Sequence, residues 1–250
     1  YRPVSLLLLP EVCITPLDFA SSGIYIRQKT NSERSHLSIQ TKVDSGGKKT
    51  NSKLIVRTSL FDAKDELVGR QSTQESADEE NALSFINTFD VEDPILWDGR
   101  KSPHLYRVFV EIMKGNTVLD TLSQYTGLRY CSIDAQKGFL LNGKSYKISR
   151  EDQLQDMEII KEIGANGIRL AHYPHADFFY SLCDREGMLV WAEIPLVGKA
   201  RSDAAFEENI KLQLKELIRQ KFNHPSIFCW SLFNELSRGD VKALVEELND

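Results

Sequence analysis

The sequence has no long apolar run and no excess of basic residues. No uninterrupted apolar stretch approaches the length of about 20 residues that a membrane-spanning helix needs. Aspartate and glutamate (36) outnumber lysine and arginine (31), and the charges are mixed along the chain. Nucleic-acid binding requires a basic stripe to neutralise phosphates. We therefore expect a globular protein with neither a membrane nor a nucleic acid as partner.

The cysteines also lack a pairing pattern. The chain has only four, without any CxxC spacing, at Cys13, Cys131, Cys183 and Cys229. Such scattered thiols predict neither a zinc site nor a disulfide framework. We expect all four to be reduced and buried as small apolar side chains.

The two ends of the chain indicate a piece of a longer protein. The first residue is Tyr1 rather than methionine, and the last residues, "DVKALVEELND", have the pattern of an unfinished helix. The start shows neither the basic leader nor the small-residue cleavage site of a signal peptide. Because a leader could lie upstream, the localisation stays open.

Two patterns divide the sequence. Residues 12–133 contain apolar residues at every second position, as in half-buried strands, in "HLSIQTKVD", "KLIVRTSLFD", "LYRVFVEIMKG" and "VLDTLSQYTGLRYCSI". Several short strands with turn-rich connections predict an antiparallel, immunoglobulin-like β-sandwich. Residues 134–250 instead alternate helical patterns with short apolar runs, which predicts βα units around a parallel sheet.

The first predicted helix begins with Ser149 as its N-cap, and Gly164 ends it. Its apolar face is predicted to consist of Leu154, Met157, Ile160 and Ile163. A second helix is predicted to end at Gly187.

Three predicted parallel strands end in polar residues. They close with His172-Tyr173, with Glu193 and with Asn234-Glu235, the last within "NHPSIFCWSLFNEL". In parallel α/β sheets the functional groups lie at the carboxyl ends of the strands. We therefore expect these residues to share one active-site edge.

Each candidate also has a structural interpretation. Glu235 could be a solvated loop residue. However, Trp191 and Trp230 lie on predicted strands of the same sheet. A carboxyl group enclosed by aromatic side chains is desolvated, which raises its pKa toward the range that a general acid needs. Arg169 and Glu193 could form a buried ion pair, and Arg169 could also point into the site. His172 could be a structural histidine.

Other ionisable residues are expected to have structural roles. His224 precedes its strand and would stabilise a turn at the opposite edge of the sheet. Asp184, late in a helix, is expected to be a packing or surface charge.

The segments "GFLLNGK", "GANGIRLAHYP", "FYSLCDREGMLVWAEIP" and "NHPSIFCWSLFNE" resemble consecutive motifs of glycoside hydrolase family 2, in its β-galactosidase-like members. The resemblance implies an immunoglobulin-like β-sandwich followed by a partial (β/α)8 TIM barrel. Residues 1–11 would be the last strand of a sugar-binding jelly roll, 12–133 the sandwich, and 134–250 the first half of the catalytic barrel.

The same resemblance implies the roles of the site residues. Glu235 would be the general acid/base of a retaining exo-β-glycosidase, and Asn234 would bind the 2-hydroxyl of the sugar. Arg169 would orient the nucleophile. The pocket would also include His172, Glu193 and Trp191.

This chain departs from the family pattern in three places. The nucleophilic carboxylate of the family would lie downstream of Asp250. The family's "GVNRH" type loop is missing at the Ile148–Ser149 junction. The residues of a metal-using galactosidase are replaced by "PLVGKA", so we expect no metal or other cofactor. Because half a barrel cannot close, the 250 residues alone are expected to be inactive.

The sugar remains open among several alternatives. Leu236 stands where β-glucuronidases of the family usually have proline, which favours a terminal β-galactoside as substrate. A β-glucuronide, a β-mannoside and a non-catalytic glycan-binding role are the alternatives, and the sandwich alone could be a spacer. The sequence also leaves open a homo-oligomer of the full-length protein.

Overall fold

Alternating apolar residues build the first half of the chain into two antiparallel sheets. The computed structural model describes residues 6–46, 50–77, 82–146, 157–198 and 203–235. The strands of the first half are β1 (Cys13–Ile14), β2 (Ile24–Thr30), β3 (Arg34–Asp44), β4 (Thr50–Phe61), β5 (Leu67–Ala77), β6 (Ala82–Glu92), β7 (Tyr106–Lys114) and β8 (Thr117–Thr126). One sheet has the order β1-β3-β2, with β6 also paired to β3, and the other has the order β5-β4-β7-β8.

The core of the sandwich follows directly from the period-2 pattern. Along β3, Leu37, Ile39 and Val43 are fully buried, and they share one core with Leu54 and Val56 of β4 in the other sheet. Side chains on alternate positions of a strand point to the same face, so the two apolar faces can pack on each other. The predicted sandwich is confirmed, although the sequence interpretation did not identify β2, β5 and β6 as strands.

The second half is a parallel α/β unit. After a small antiparallel sheet of β9 (Cys131–Asp134), β10 (Gly138–Leu141) and β11 (Lys144–Ser145), the chain forms α1 (Met157–Glu162), β12 (Gly167–Leu170), α2 (Asp177–Glu186), β13 (Leu189–Glu193), α3 (Ala204–Lys221) and β14 (Ile227–Ser231). The strand order is β12-β13-β14, with parallel pairing throughout. These are consecutive βα units of an incomplete barrel, as predicted.

The helix ends largely agree with the sequence signals. Gly187 ends α2 in the left-handed conformation that favours glycine (φ 68°). Met157 and Ile160 of α1 are buried as predicted, but Ile163 lies beyond the helix and is 53% exposed, so its place on the apolar face is wrong. Ser149 and Leu154 lie outside the described residues, as does the Ile148–Ser149 junction.

The sandwich docks against the amino-terminal edge of the parallel sheet. Trp97, which is fully buried, donates its indole N–H to the backbone carbonyl of Asp184 at 2.9 Å. The side-chain amide of Asn223 bonds the backbone of the edge strand β2, donating to Ile24 at 2.7 Å and accepting from Ile26 at 2.9 Å. This junction closes the edge of the sheet opposite to the predicted site.

The cysteines only partly follow the expectation. All four are free thiols; Cys13 and Cys183 are buried, as predicted. Cys131 is exposed and Cys229 is half-buried, so burial was wrongly expected for these two. Burial raises the pKa of the Cys183 thiol well above its ordinary value, which keeps it protonated. None of the described helices is long and apolar enough to cross a membrane.

Candidate active site

The parallel strands place the predicted polar residues at one edge of the sheet. Arg169 of β12 lies beside Trp191 of β13, and Glu193 follows two positions later on the same face of β13. Alternate residues of a strand share a face, so all three side chains point to the inner side of the incomplete barrel. The neighbouring positions, Val190 and Ala192, instead pack with the helices.

Glu193 is the buried centre of this edge. Its side chain has no solvent exposure, and Arg169 donates to its Oε2 atom from Nε at 3.0 Å and from Nη2 at 2.7 Å. Its Oε1 atom accepts the backbone N–H of His172 at 3.0 Å. A buried carboxylate requires such compensation, because an isolated charge in the interior is very costly. The ion pair, one of the two possibilities that the sequence left open for Arg169, is therefore present.

Asn234 joins the same network from the end of β14. Its Oδ1 atom accepts a hydrogen bond from Nη2 of Arg169 at 2.6 Å. Its backbone is held as well, because its N–H donates to the carbonyl of Leu196 at 2.9 Å and its carbonyl accepts from Gly198 at 3.4 Å. Both the backbone and the amide oxygen of Asn234 are thus fixed by neighbouring residues.

His172 turns the chain sharply after β12. It has a positive φ of 70°, which a residue with a side chain rarely adopts, and its N–H to Glu193 stabilises this conformation. The Nδ1 atom of its ring lies 3.5 Å from Oε1 of Glu193. The imidazole is partly exposed, and the next residue, Tyr173, is exposed too. Both side chains therefore border the open side of the site.

Glu235 directly follows Asn234 at the carboxyl edge of the sheet, and its side chain is exposed. Its φ of 47° is again in the left-handed region. Strained residues persist where the surrounding structure holds them, and they concentrate at functional sites. Two of the six predicted site residues, His172 and Glu235, have this conformation, but it is not specific to the site, because five described residues elsewhere share it: Phe19, Ala20, Asp65, Asp93 and Asn142.

Of the two tryptophans expected to enclose Glu235, only Trp191 lies on the inner face of the sheet. Trp191 is 38% exposed on the inner face, where its ring lies 5.6 Å from the Arg169 guanidinium and packs edge-on against Phe228. Trp230 pairs with Ala192 instead and packs into the helix layer. The strand alternation puts the two tryptophans on opposite faces, so Trp230 is not at the site. Phe228, not singled out from the sequence, contacts Trp191 from the cluster of Trp97, Leu141 and Phe139.

The opposite edge of the sheet contains a different buried carboxylate. Nδ1 of His224 lies 2.7 Å from Oδ2 of Asp184, whose Oδ1 accepts the N–H of Ser226 at 3.1 Å. His224 thus holds a turn at the amino-terminal edge, where we expected it. Asp184 is no surface charge but a buried junction residue, because it must satisfy donors on the loop before β14.

The described residues at the two edges of the sheet do not form a set of metal ligands. Among the residues that the structure describes, no group of three or more His, Cys, Asp or Glu side chains could hold a metal ion. The described site instead contains hydrogen-bond donors and acceptors, the positive charge of Arg169 and the carboxyl group of Glu235. Such a set can bind a polyhydroxylated molecule and transfer a proton to it.

Comparison with known proteins agrees with this arrangement. A family model described as "Glycosyl hydrolases family 2" matches residues 21–129, and one described as "Glycosyl hydrolases family 2, TIM barrel domain" matches residues 141–249. A β-glucuronidase of Bacteroides fragilis is 36% identical over 277 residues, covering 100% of this chain and 39% of that protein. The β-galactosidase BoGH2A of Bacteroides ovatus is 32% identical over 217 residues, covering 78% of this chain and 25% of that protein.

A solved structure shares the same fold. Bacteroides uniformis β-glucuronidase 2, covalently bound to cyclophellitol-6-carboxylate aziridine, superimposes with a TM-score of 0.83 at 28% identity, covering 96% of this chain and 31% of that one. This chain thus spans less than half the length of the relatives it matches. Its sandwich and partial barrel, and its identity with these relatives, show that the chain belongs to glycoside hydrolase family 2.

Proposed function

We propose that this chain supplies the first half of the catalytic barrel of a retaining exo-β-glycosidase, with Glu235 as its general acid/base. The observation that carries the proposal is the position of Asn234-Glu235 at the carboxyl edge of the parallel sheet. There Asn234 bonds to Arg169, which bonds to the buried Glu193. An exposed carboxyl group beside an ordered polar network suits proton transfer to a bound substrate.

The proposed reaction has two steps. In the first, the Glu235 carboxyl group protonates the glycosidic oxygen while a carboxylate nucleophile attacks the anomeric carbon, which gives a glycosyl-enzyme intermediate. In the second, Glu235 as a carboxylate removes a proton from the water that hydrolyses the intermediate. Such an enzyme needs the two carboxyl groups about 5–5.5 Å apart. The nucleophile would come from a later barrel strand, beyond Asp250.

The contacts of Arg169 support its proposed role in orienting the nucleophile. Its Nε and Nη2 groups are engaged by Glu193 and Asn234, which fixes the plane of the guanidinium. Its Nη1 group makes no hydrogen bond within the part of the chain that the structure describes, so it can donate to a carboxylate from another strand. The exposed faces of Trp191 and His172 would border the sugar.

For the substrate, we propose a terminal β-galactoside, with a β-glucuronide as the second candidate. Leu236 after the "NE" pair favours the galactoside. The glucuronide is supported by the β-glucuronidase of Bacteroides fragilis, which covers the whole of this chain at 36% identity. A β-mannoside and a non-catalytic glycan-binding role are weaker alternatives.

The test uses the full-length protein with aryl β-galactoside, β-glucuronide and β-mannoside, beside its Glu235→Gln variant. We expect turnover of one of the first two substrates, and its loss in the variant. Turnover of the glucuronide alone would replace the galactoside proposal. If none of the substrates is hydrolysed, while the protein still binds glycans by calorimetry, the non-catalytic alternative is correct.

A further inference from the structure

The side chain of Asn234 has a defined hydrogen-bond polarity. Arginine carries donors only, so the atom of Asn234 that lies 2.6 Å from Nη2 of Arg169 must be the amide oxygen. The Nδ2 amino group then points away from Arg169, and it has no hydrogen-bond partner among the described residues. The site therefore presents Asn234 to a ligand as a donor.

This polarity depends on a residue that lies below the site surface. Glu193 is fully buried, and two of its contacts hold the Arg169 side chain while a third holds the backbone of His172. A carboxylate is an acceptor at both oxygens, so it satisfies donors on both sides at once. The guanidinium is thereby fixed in the position from which it engages Asn234.

We propose that Glu193 is a positioning residue that, through Arg169, orients the Asn234 amide as a hydrogen-bond donor to a hydroxyl group of the sugar. The inference rests on the proposed function, in which Asn234 binds the 2-hydroxyl. Glu193 itself would touch no substrate. Its contribution would be the order of the Asn234 side chain, which must be preorganised for its donor to act in the transition state.

The variant Glu193→Gln keeps the size of the side chain but offers only one acceptor oxygen. Its amino group would then face a donor, either Arg169 or the N–H of His172, and one of these would move. The variant Arg169→Lys keeps the charge of the site. Because a lysine ammonium has no planar fork, it cannot hold Glu193 and Asn234 in the same geometry.

The experiment compares kcat/KM for an aryl β-glycoside and its 2-deoxy analogue in the full-length protein. The analogue lacks the hydroxyl that Asn234 would bind, and its different intrinsic reactivity is the same in every variant, so it cancels when variants are compared. We expect the preference for the parent sugar to fall by roughly tenfold in Glu193→Gln and Arg169→Lys, as for loss of 1.4 kcal/mol. Asn234→Ala should lose the preference to at least the same extent.

Asp184→Asn is the matched control, because it alters a buried carboxylate at the other edge of the same sheet. Its preference should remain that of the wild type even if its stability falls. If Glu193→Gln does not fold, Arg169→Lys provides the test of the proposal. The Arg169 side chain is partly exposed, so its substitution should be tolerated better by the fold. An active protein whose preference survives both changes overturns this inference alone. A wild type that hydrolyses no glycoside overturns it together with the proposed function.

Discussion

The two edges of the parallel sheet each have a buried carboxylate, and the two groups have different surroundings. At the amino-terminal edge Asp184 bonds to His224 and Ser226, under the buried Trp97 of the sandwich. At the carboxyl edge Glu193 bonds to Arg169 and His172, whose side chains remain partly open to solvent. The first network ends in the protein core, and the second ends at a surface.

This difference in surroundings implies that the Asp184 network contributes to folding stability and the Glu193 network to ligand binding. The network at the amino-terminal edge bonds both carboxylate oxygens of Asp184 to groups inside the molecule, so it stabilises one arrangement of sandwich and barrel. The open network leaves the Nη1 group of Arg169 and the amino group of Asn234 without a hydrogen-bond partner among the described residues. Groups fixed in position but not yet bonded can recognise a ligand. Substitutions at the two edges should therefore affect different measurements.

The largest effect is expected at Glu235. Glu235→Gln should lower kcat in the full-length protein by about 10²–10⁴-fold, because an amide cannot donate a proton to the glycosidic oxygen. The loss should be greater for an alkyl glycoside than for a nitrophenyl glycoside, whose leaving group needs less protonation. The unfolding temperature should hardly change, because the side chain is exposed.

Glu208→Gln is the control for this prediction, because it changes an exposed glutamate of α3 and should retain full activity. Equal losses of activity for the two variants would exclude a specific role for Glu235.

Trp97→Ala should produce the largest loss of stability. Truncating a fully buried tryptophan costs about 3–5 kcal/mol in the free energy of unfolding. Trp97→Phe is the matched control: it keeps an aromatic ring and leaves the buried carbonyl of Asp184 without its donor, so about 1–3 kcal/mol should be lost. Urea denaturation of the full-length protein measures both. Similar values for the two variants would contradict the importance of packing at this junction.

Asp184→Asn should have an intermediate effect, confined to stability. The amide can still accept from Ser226, but it can donate to Nδ1 of His224 only if the imidazole changes its tautomer, and the charge of the carboxylate is lost, at a cost of about 1–3 kcal/mol. Kinetic constants measured below the unfolding transition should stay near those of the wild type. A selective loss of kcat would show that the two edges are coupled.

Asp203→Asn serves as the control for Asp184, because this residue caps the start of α3 and asparagine caps helices equally well.

The smallest effect concerns a carboxylate away from both edges, Glu111 of the sandwich. Hydrogen bonds from Arg57 hold the pKa of Glu111 below its ordinary value. A lowered pKa in the folded state stabilises the protein above the unfolded value, near 4.3, and this stability is lost as the pH falls through the folded value. Glu111→Gln should therefore cost about 1 kcal/mol at pH 7, and this cost should shrink as the pH falls below the unfolded value.

Urea midpoints of wild type and Glu111→Gln across this range give the measurement. In an Arg57→Leu background the pH-dependent difference should be much smaller, because the hydrogen bonds are already gone. A difference that persists unchanged at low pH would exclude the ion pair as its source.

Local pattern predicted most of the fold but not its details. The alternation in residues 34–44 and the helical period before Gly187 are strong because burial repeats with the period of the backbone. Ile163 was placed wrongly because α1 ends at Glu162, before another turn could bury it. Strand β5 is polar over much of its length, so its pattern gave no comparable signal.

The sequence by itself determined which residues lie at the carboxyl ends of the strands. The local pattern shows where each strand begins and ends along the chain, and the helices between the strands imply that the strands are parallel. It could not determine which way Trp230 faces, how Arg169 divides its donors, or that His172 and Glu235 adopt positive φ. Those features depend on the register between strands and on hydrogen bonds between residues 21 to 65 positions apart. Only the tertiary structure brings such groups together, because each partner's position is fixed by a different strand.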